Sequence, residues 1–136
     1  MICVILVTMV VTAFAQKVDY SQYNVVAQKG NVTIVEKEGK DYRMLVGTMK
    51  NPQKVYVLGH NKDLAAGRFD RMLEIMANNK FPKNGRLEMF CGSQIRVFVK
   101  EERGQSFFYF VDEDSKSKFV FSKLECRELK ETIISY

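Results

Sequence analysis

Apolar spacing switches period along this chain, and those switches limit the fold more than any single motif. From Asn61 or Asp63 to about Asn79, Leu64, Ala65, Phe69, Met72, Leu73 and Met76 recur at helical spacing, while Arg68, Arg71, Glu74 and Asn78 fall largely off the stripe. On both sides of that helix the period is two. Asn31–Lys37 alternates, Glu38-Gly39-Lys40 turns the chain back into Tyr42–Met49, and Asn51-Pro52-Gln53 turns it again into Lys54–His60. A short strand at Tyr23–Ala27 would make a fourth. Beyond the helix, Phe81-Pro82-Lys83-Asn84-Gly85 forms a loop, and Arg86–Cys91, Gln94–Glu101, Ser106–Asp112 and Lys118–Ser122 read as four strands joined by short turns. Consecutive strands with short turns pair antiparallel, so this second group is a meander. The period returns to 3.6 at Lys123 to about Ser135, with Ser122 as cap, Glu125 completing a capping box, and Leu124, Leu129 and Ile133 near one face. Grouped strands separated by single helices predict an α+β fold with an antiparallel sheet of about seven strands.

The apolar opening, Met1 to Ala15, stands apart from that pattern. Ile2 to Ala15 is fourteen residues long, or about 21 Å of helix, against roughly 30 Å of hydrocarbon to be crossed. It is too short to span unaided. Its length and its Ala13-Phe14-Ala15 ending match a secretory signal with cleavage before Gln16, although no Lys or Arg precedes the apolar core. A buried strand is the competing reading, because many of these residues are β-branched. Residues 1–15 are therefore expected to be a signal peptide and 16–136 a single domain, exported to the periplasm or secreted, with no transmembrane anchor after cleavage. Cys3 sits at the start of the apolar run, which argues against lipoprotein processing.

Cleavage leaves Cys91 and Cys126, and an oxidising compartment allows them to pair as a disulfide. The net charge of +5 is concentrated between Arg43 and Lys100, where eleven Lys or Arg face four Asp or Glu. Lys62, Arg68, Arg71, Lys80, Lys83 and Arg86 could form a basic patch around the first helix and its loop. Export argues against nucleic acid as its partner, and no adjacent run of basic residues marks one.

Sites with a chemical signature are few. His60 is the only histidine, so a histidine pair for metal is excluded, and Cys-x-x-Cys and glycine-rich phosphate loops are missing. No metal or cofactor is expected. Asp112-Glu113-Asp114 reads as a solvated turn whose carboxylates bond nearby backbone N–H groups. In the meander, Leu87, Met89 and Cys91 share a face, as do Ile95, Val97 and Val99, so Phe90 and Phe98 lie on the opposite side. Ser106–Val111 carries aromatics on both faces. Coverage by the second helix is the simplest way to bury the extra face; the alternatives are an apolar pocket or a partner.

These residues predict a small exported binding or interaction module, leaning away from an enzyme, with Phe90, Phe98, Phe108 and Phe110 as the candidate face and His60 as a further binding candidate. Its partner would be a protein or a small apolar ligand. The competing functions are a hydrolase-type enzyme using His60 with Asp63 or Asp70, and a polyanion binder using residues 43–100.

Overall fold

Among the described residues, eight strands and two α-helices follow one another in the order four strands, helix, four strands, helix. The computed structural model describes residues 18–78, 86–90, 93–112 and 115–136. A short 3-10 turn at Tyr20–Gln22 leads into β1 (Asn24–Lys29), β2 (Val32–Lys37), β3 (Asp41–Gly47), β4 (Pro52–Gly59) and α1 (Lys62–Asn78). The second half holds β5 (Arg86–Phe90), β6 (Ser93–Glu102), β7 (Gln105–Asp112), β8 (Ser117–Ser122) and α2 (Lys123–Ser135). The α+β reading and the order of elements hold. The strands divide, however, into two four-stranded antiparallel meanders, β1-β2-β3-β4 and β5-β6-β7-β8. Each meander is followed by its own helix, so the second half repeats the topology of the first.

The local sequence explains the joints. Between β6 and β7, Arg103 and Gly104 adopt φ of 53° and 79°, the paired positive values that a two-residue turn needs to match strand twist. Asn61 caps α1 by accepting from Leu64 N at 2.8 Å. The capping box of α2 is formed, with Glu125 N donating to Ser122 Oγ at 3.1 Å and Ser122 N donating to Glu125 Oε1 at 2.9 Å. In both helices the buried stripe is rotated slightly from the expected one. Leu64 and Leu124 are exposed, while Ala66, Ile75 and Cys126 are buried beside Phe69, Met72, Leu129 and Ile133.

One core is shared by both sheets and both helices. Val32, Ile34, Met44, Tyr56 and Leu58 from the first sheet meet Phe108, Phe110, Phe119 and Phe121 from the second. The Phe110 and Phe119 rings stack at 4.6 Å, and Tyr56 meets Phe119 across the sheet boundary at 5.9 Å. The helices lie antiparallel against each other, tied by Asp70 to Lys130 at 2.7 Å and by Lys62 Nζ donating to the Ile134 carbonyl at 3.3 Å.

The far side of the first sheet is covered as well. Tyr20 and Tyr23 pack on Val35 and Leu45, with Met49 and Val55 beside them. The Arg43 guanidinium sits 5.9 Å and 5.7 Å from these two ring centres, donates to Tyr20 Oη at 3.1 Å and pairs with Asp41 at 3.0 Å. Burial alone would raise the Asp41 carboxyl, but hydrogen bonds from Arg43 and Tyr23 hold it below its ordinary value.

Candidate binding face

The helices and the shared core lie on one side of the second sheet, and the other side presents a different set of residues. Along β7, Phe108 and Phe110 are wholly buried, whereas Phe107, Tyr109 and Val111 are only half-buried. Strand alternation therefore splits the four expected phenylalanines. Phe108 and Phe110 belong to the core, and they are not on a face that a ligand can reach. Phe98 is the register partner of Tyr109 and Phe90 that of Ser93. The candidate face is thus carried on β7 by Phe107, Tyr109 and Val111, with Phe98 at the register position of Tyr109.

Register orders this face in rows across the strands. The first row runs Arg86, Arg96, Val111, Lys118; the second Phe98, Tyr109, Val120; the third Lys100, Phe107, Ser122. Val120 is 41% exposed. Lys100 Nζ stands 5.1 Å from the centre of the Tyr109 ring, and the Tyr109 hydroxyl donates to Glu102 at 3.3 Å. At the β6–β7 hairpin the face runs into a shallow groove of about 340 Å³ lined by Glu102, Arg103, Gln105 and Phe107. No covering element corresponding to Tyr20 and Tyr23 lies on this face among the described residues.

A second polar constellation joins the two sheets. The Tyr56 hydroxyl donates to Asp112 Oδ2 at 2.7 Å and lies 3.3 Å from Ser117 Oγ. Lys54 Nζ is 3.7 Å from the same carboxylate, and Ser115 N donates to Asp112 Oδ1 at 3.2 Å. Burial pushes the Tyr56 phenol up, and the Asp112 carboxylate adds to that effect while Ser117 opposes it. The expected turn bond of Asp112 is present, but Asp112 is 3% exposed rather than solvated. Buried and mutually satisfied, this group acts as a polar clamp between the sheets. Sequence reasoning missed it because Tyr56 and Asp112 are 56 positions apart and neither carries a motif.

The other sequence-derived candidates do not assemble. His60 is exposed at the end of β4 and has no hydrogen bond to Asp63 or Asp70, and Asp70 is held by Lys130. The basic patch is distributed among structural duties: Lys62 binds the end of α2, Arg68 donates to the Leu58 carbonyl at 3.0 Å, and Arg71 pairs with Glu74 at 3.3 Å. Arg86 lies on β5, and Lys80 and Lys83 lie outside the described residues. Cys126 carries a free thiol in the core, 3.9 Å from Met72 Sδ, and burial pushes that thiol up to about 12. Cys91 and the Met1 to Ala15 leader also lie outside the described residues. Among the described residues no cluster of His, Cys, Asp or Glu is arranged to hold a metal ion, and no helix is long and apolar enough to cross a membrane.

No known protein family, curated protein or solved structure matches this chain.

Proposed function

We propose that this chain is an exported, non-catalytic binding module that works through the outer face of its second sheet. The observation that carries the reading is an asymmetry between two halves of the same topology. The outer side of the first sheet is covered by Tyr20 and Tyr23, while that of the second offers Phe107, Tyr109, Val111 and Val120 beside Lys100 and Lys118. Apolar side chains grouped between cations on a sheet face that carries no cover among the described residues are the composition of an interaction surface.

The test is a Phe107→Ser/Val120→Glu variant measured beside the unchanged chain against immobilised glycan, peptide and nucleic-acid polymers. The variant should melt cooperatively and within a few degrees of the parent, because neither position belongs to the shared core. It should also lose retention of whichever polymer the parent holds. Unaltered retention, or a variant that does not fold, refutes the face as a binding surface. Export is tested separately by intact mass: exported protein should begin at Gln16, and retention of Met1 to Ala15 refutes it.

A further inference from the structure

We infer that residues 18–23 are a strap, latched to the outer face of the first sheet by Arg43 and Asp41, that opens as a unit while the shared core stays folded. The inference stands apart from the binding-face reading, because the strap and its latch lie on the other sheet.

How the strap is held is the first argument. Its backbone bonds stay within it: Tyr23 N donates to the Tyr20 carbonyl at 3.0 Å and Gln22 N to that of Asp19 at 3.5 Å. Asp19 Oδ1 closes the turn by accepting from Ser21 N at 3.0 Å and from Ser21 Oγ at 2.6 Å. No main-chain hydrogen bond joins residues 18–22 to either sheet among the described residues. The hydrogen bonds that hold the strap down are those of the Tyr20 and Tyr23 hydroxyls, and both converge on two residues of β3. Arg43 Nη1 donates to Tyr20 Oη at 3.1 Å, Arg43 Nε pairs with Asp41 at 3.0 Å, and Tyr23 Oη donates to Asp41 Oδ2 at 2.6 Å. The Arg43 guanidinium also faces both rings, and Lys37 Nζ lies 5.8 Å from the centre of the Tyr23 ring. In this circuit each charged group orients the other, so the loss of either loosens both tyrosines.

Packing supplies the second argument. Tyr20, Tyr23, Val35 and Leu45 form a cluster of their own, separate from the core that the two sheets and two helices share. Lifting the strap therefore takes no side chain out of that core. Where the strap meets the β3–β4 turn its seat is not close-packed. Two adjoining grooves of about 460 and 450 Å³ open there, each lined by Val18, Asp19 and Tyr20 on one side and Lys50 on the other. A segment with few buried contacts and no backbone ladder opens at a lower free energy than the elements it covers. The open form bares Val35 and Leu45, which are wholly buried when the strap is down. The latch thus decides whether the first sheet presents an apolar outer face.

The experiment is chymotrypsin digestion of the chain as exported, at urea concentrations below the unfolding transition, with the cut sites read by mass spectrometry. A strap that opens by itself exposes little surface, so the first cut should fall after Tyr20 or Tyr23 at a rate that changes little with urea. The nicked product should keep its far-UV spectrum. Arg43→Met and Tyr23→Phe should each speed that cut roughly 10- to 100-fold, the range for losing a hydrogen bond to a charged group, with the urea midpoint of the helix signal nearly unmoved. Lys130→Ala, which breaks the ion pair with Asp70 between the helices, should leave the rate of that cut unchanged. A cut after Tyr20 or Tyr23 that accelerates with urea as steeply as cuts elsewhere means that the strap leaves only when the whole fold unfolds, and overturns the inference. Unchanged rates in both latch variants overturn it too, as does loss of cooperative melting in both.

Discussion

Replacing Tyr56 with Phe removes one oxygen atom from the clamp between the two sheets and changes almost nothing else. That hydroxyl donates to Asp112 at 2.7 Å and contacts Ser117 at 3.3 Å. Tyr56 is 0% exposed, so water has no ready route to replace it. A hydrogen bond to a charged group contributes about 1.5–3 kcal/mol, and a buried carboxylate that loses a donor falls in the same range. For a chain of this size each kcal/mol moves Tm by about 4 °C, so a fall of about 6–12 °C is expected. Lys54 and the Ser115 N–H remain on Asp112, which is why complete unfolding is not. A double-mutant cycle with Asp112→Asn, followed by thermal and urea denaturation, isolates the pair. Its coupling energy should be about 1 kcal/mol or more. The variant should also resist alkali better. The folded Tyr56 phenol is raised above its ordinary value, so above pH about 10 the unfolded chain releases a proton that the folded chain keeps. Stability then falls by about 1.4 kcal/mol per pH unit for that one group, and this component disappears in the Phe variant. A single-variant cost under about 0.5 kcal/mol, or a coupling energy near zero, would show that the clamp is incidental to how the sheets are joined.

Three further outcomes follow from the same geometry. Gly59→Ala should cost about 1–3 kcal/mol by urea denaturation, since Gly59 has φ of +154° and an added Cβ would lie 2.7 Å from Leu64 Cβ; a neutral substitution would mean that the β4–α1 junction is looser than described. Burial raises the Cys126 thiol and the Tyr23 phenol, each up to about 12, from 9.0 and 10.0. Their stabilising effect is therefore complete below pH about 9 and is lost as pH climbs toward 12. Tm should be level from pH 6 to 8.5 and decline above pH 9, and a level profile to pH 11 would contradict the burial. Mature protein denatured without reductant should titrate two thiols, because Cys126 is free; no titratable thiol would establish the pairing with Cys91.

Local signals in the chain settle the elements themselves. Period-two segments, a helix start at Asn61, the Ser122–Glu125 capping box and the Arg103-Gly104 turn each depend on residues within a few positions of one another, and all are present in the fold. The physics behind them is short-range: a cap satisfies an orphan N–H one turn away, and a turn fixes φ where it stands. The order strands, helix, strands, helix is legible for the same reason.

What lies across the sheets is decided only by tertiary structure. Alternation announces that β7 has two faces, but Phe107-Phe108-Tyr109-Phe110 is aromatic on both, so composition gives no reason to prefer either as the inside. The shared core chose Phe108 and Phe110, and Phe107 and Tyr109 went to the outside with Val120 and Lys118. Tyr56 and Asp112 meet because two meanders pack against one another, a long-range event that propensity and spacing do not encode. By itself the sequence determined which of these segments are strands and which are helices, and their order, while the ends of several shifted, as at Asp41–Gly47 where Tyr42–Met49 was expected, since hydrogen bonding and capping act between near neighbours. Folding in three dimensions decided that the described strands make two sheets rather than one, and which side of the second is left outside, because burial depends on what arrives from far along the chain.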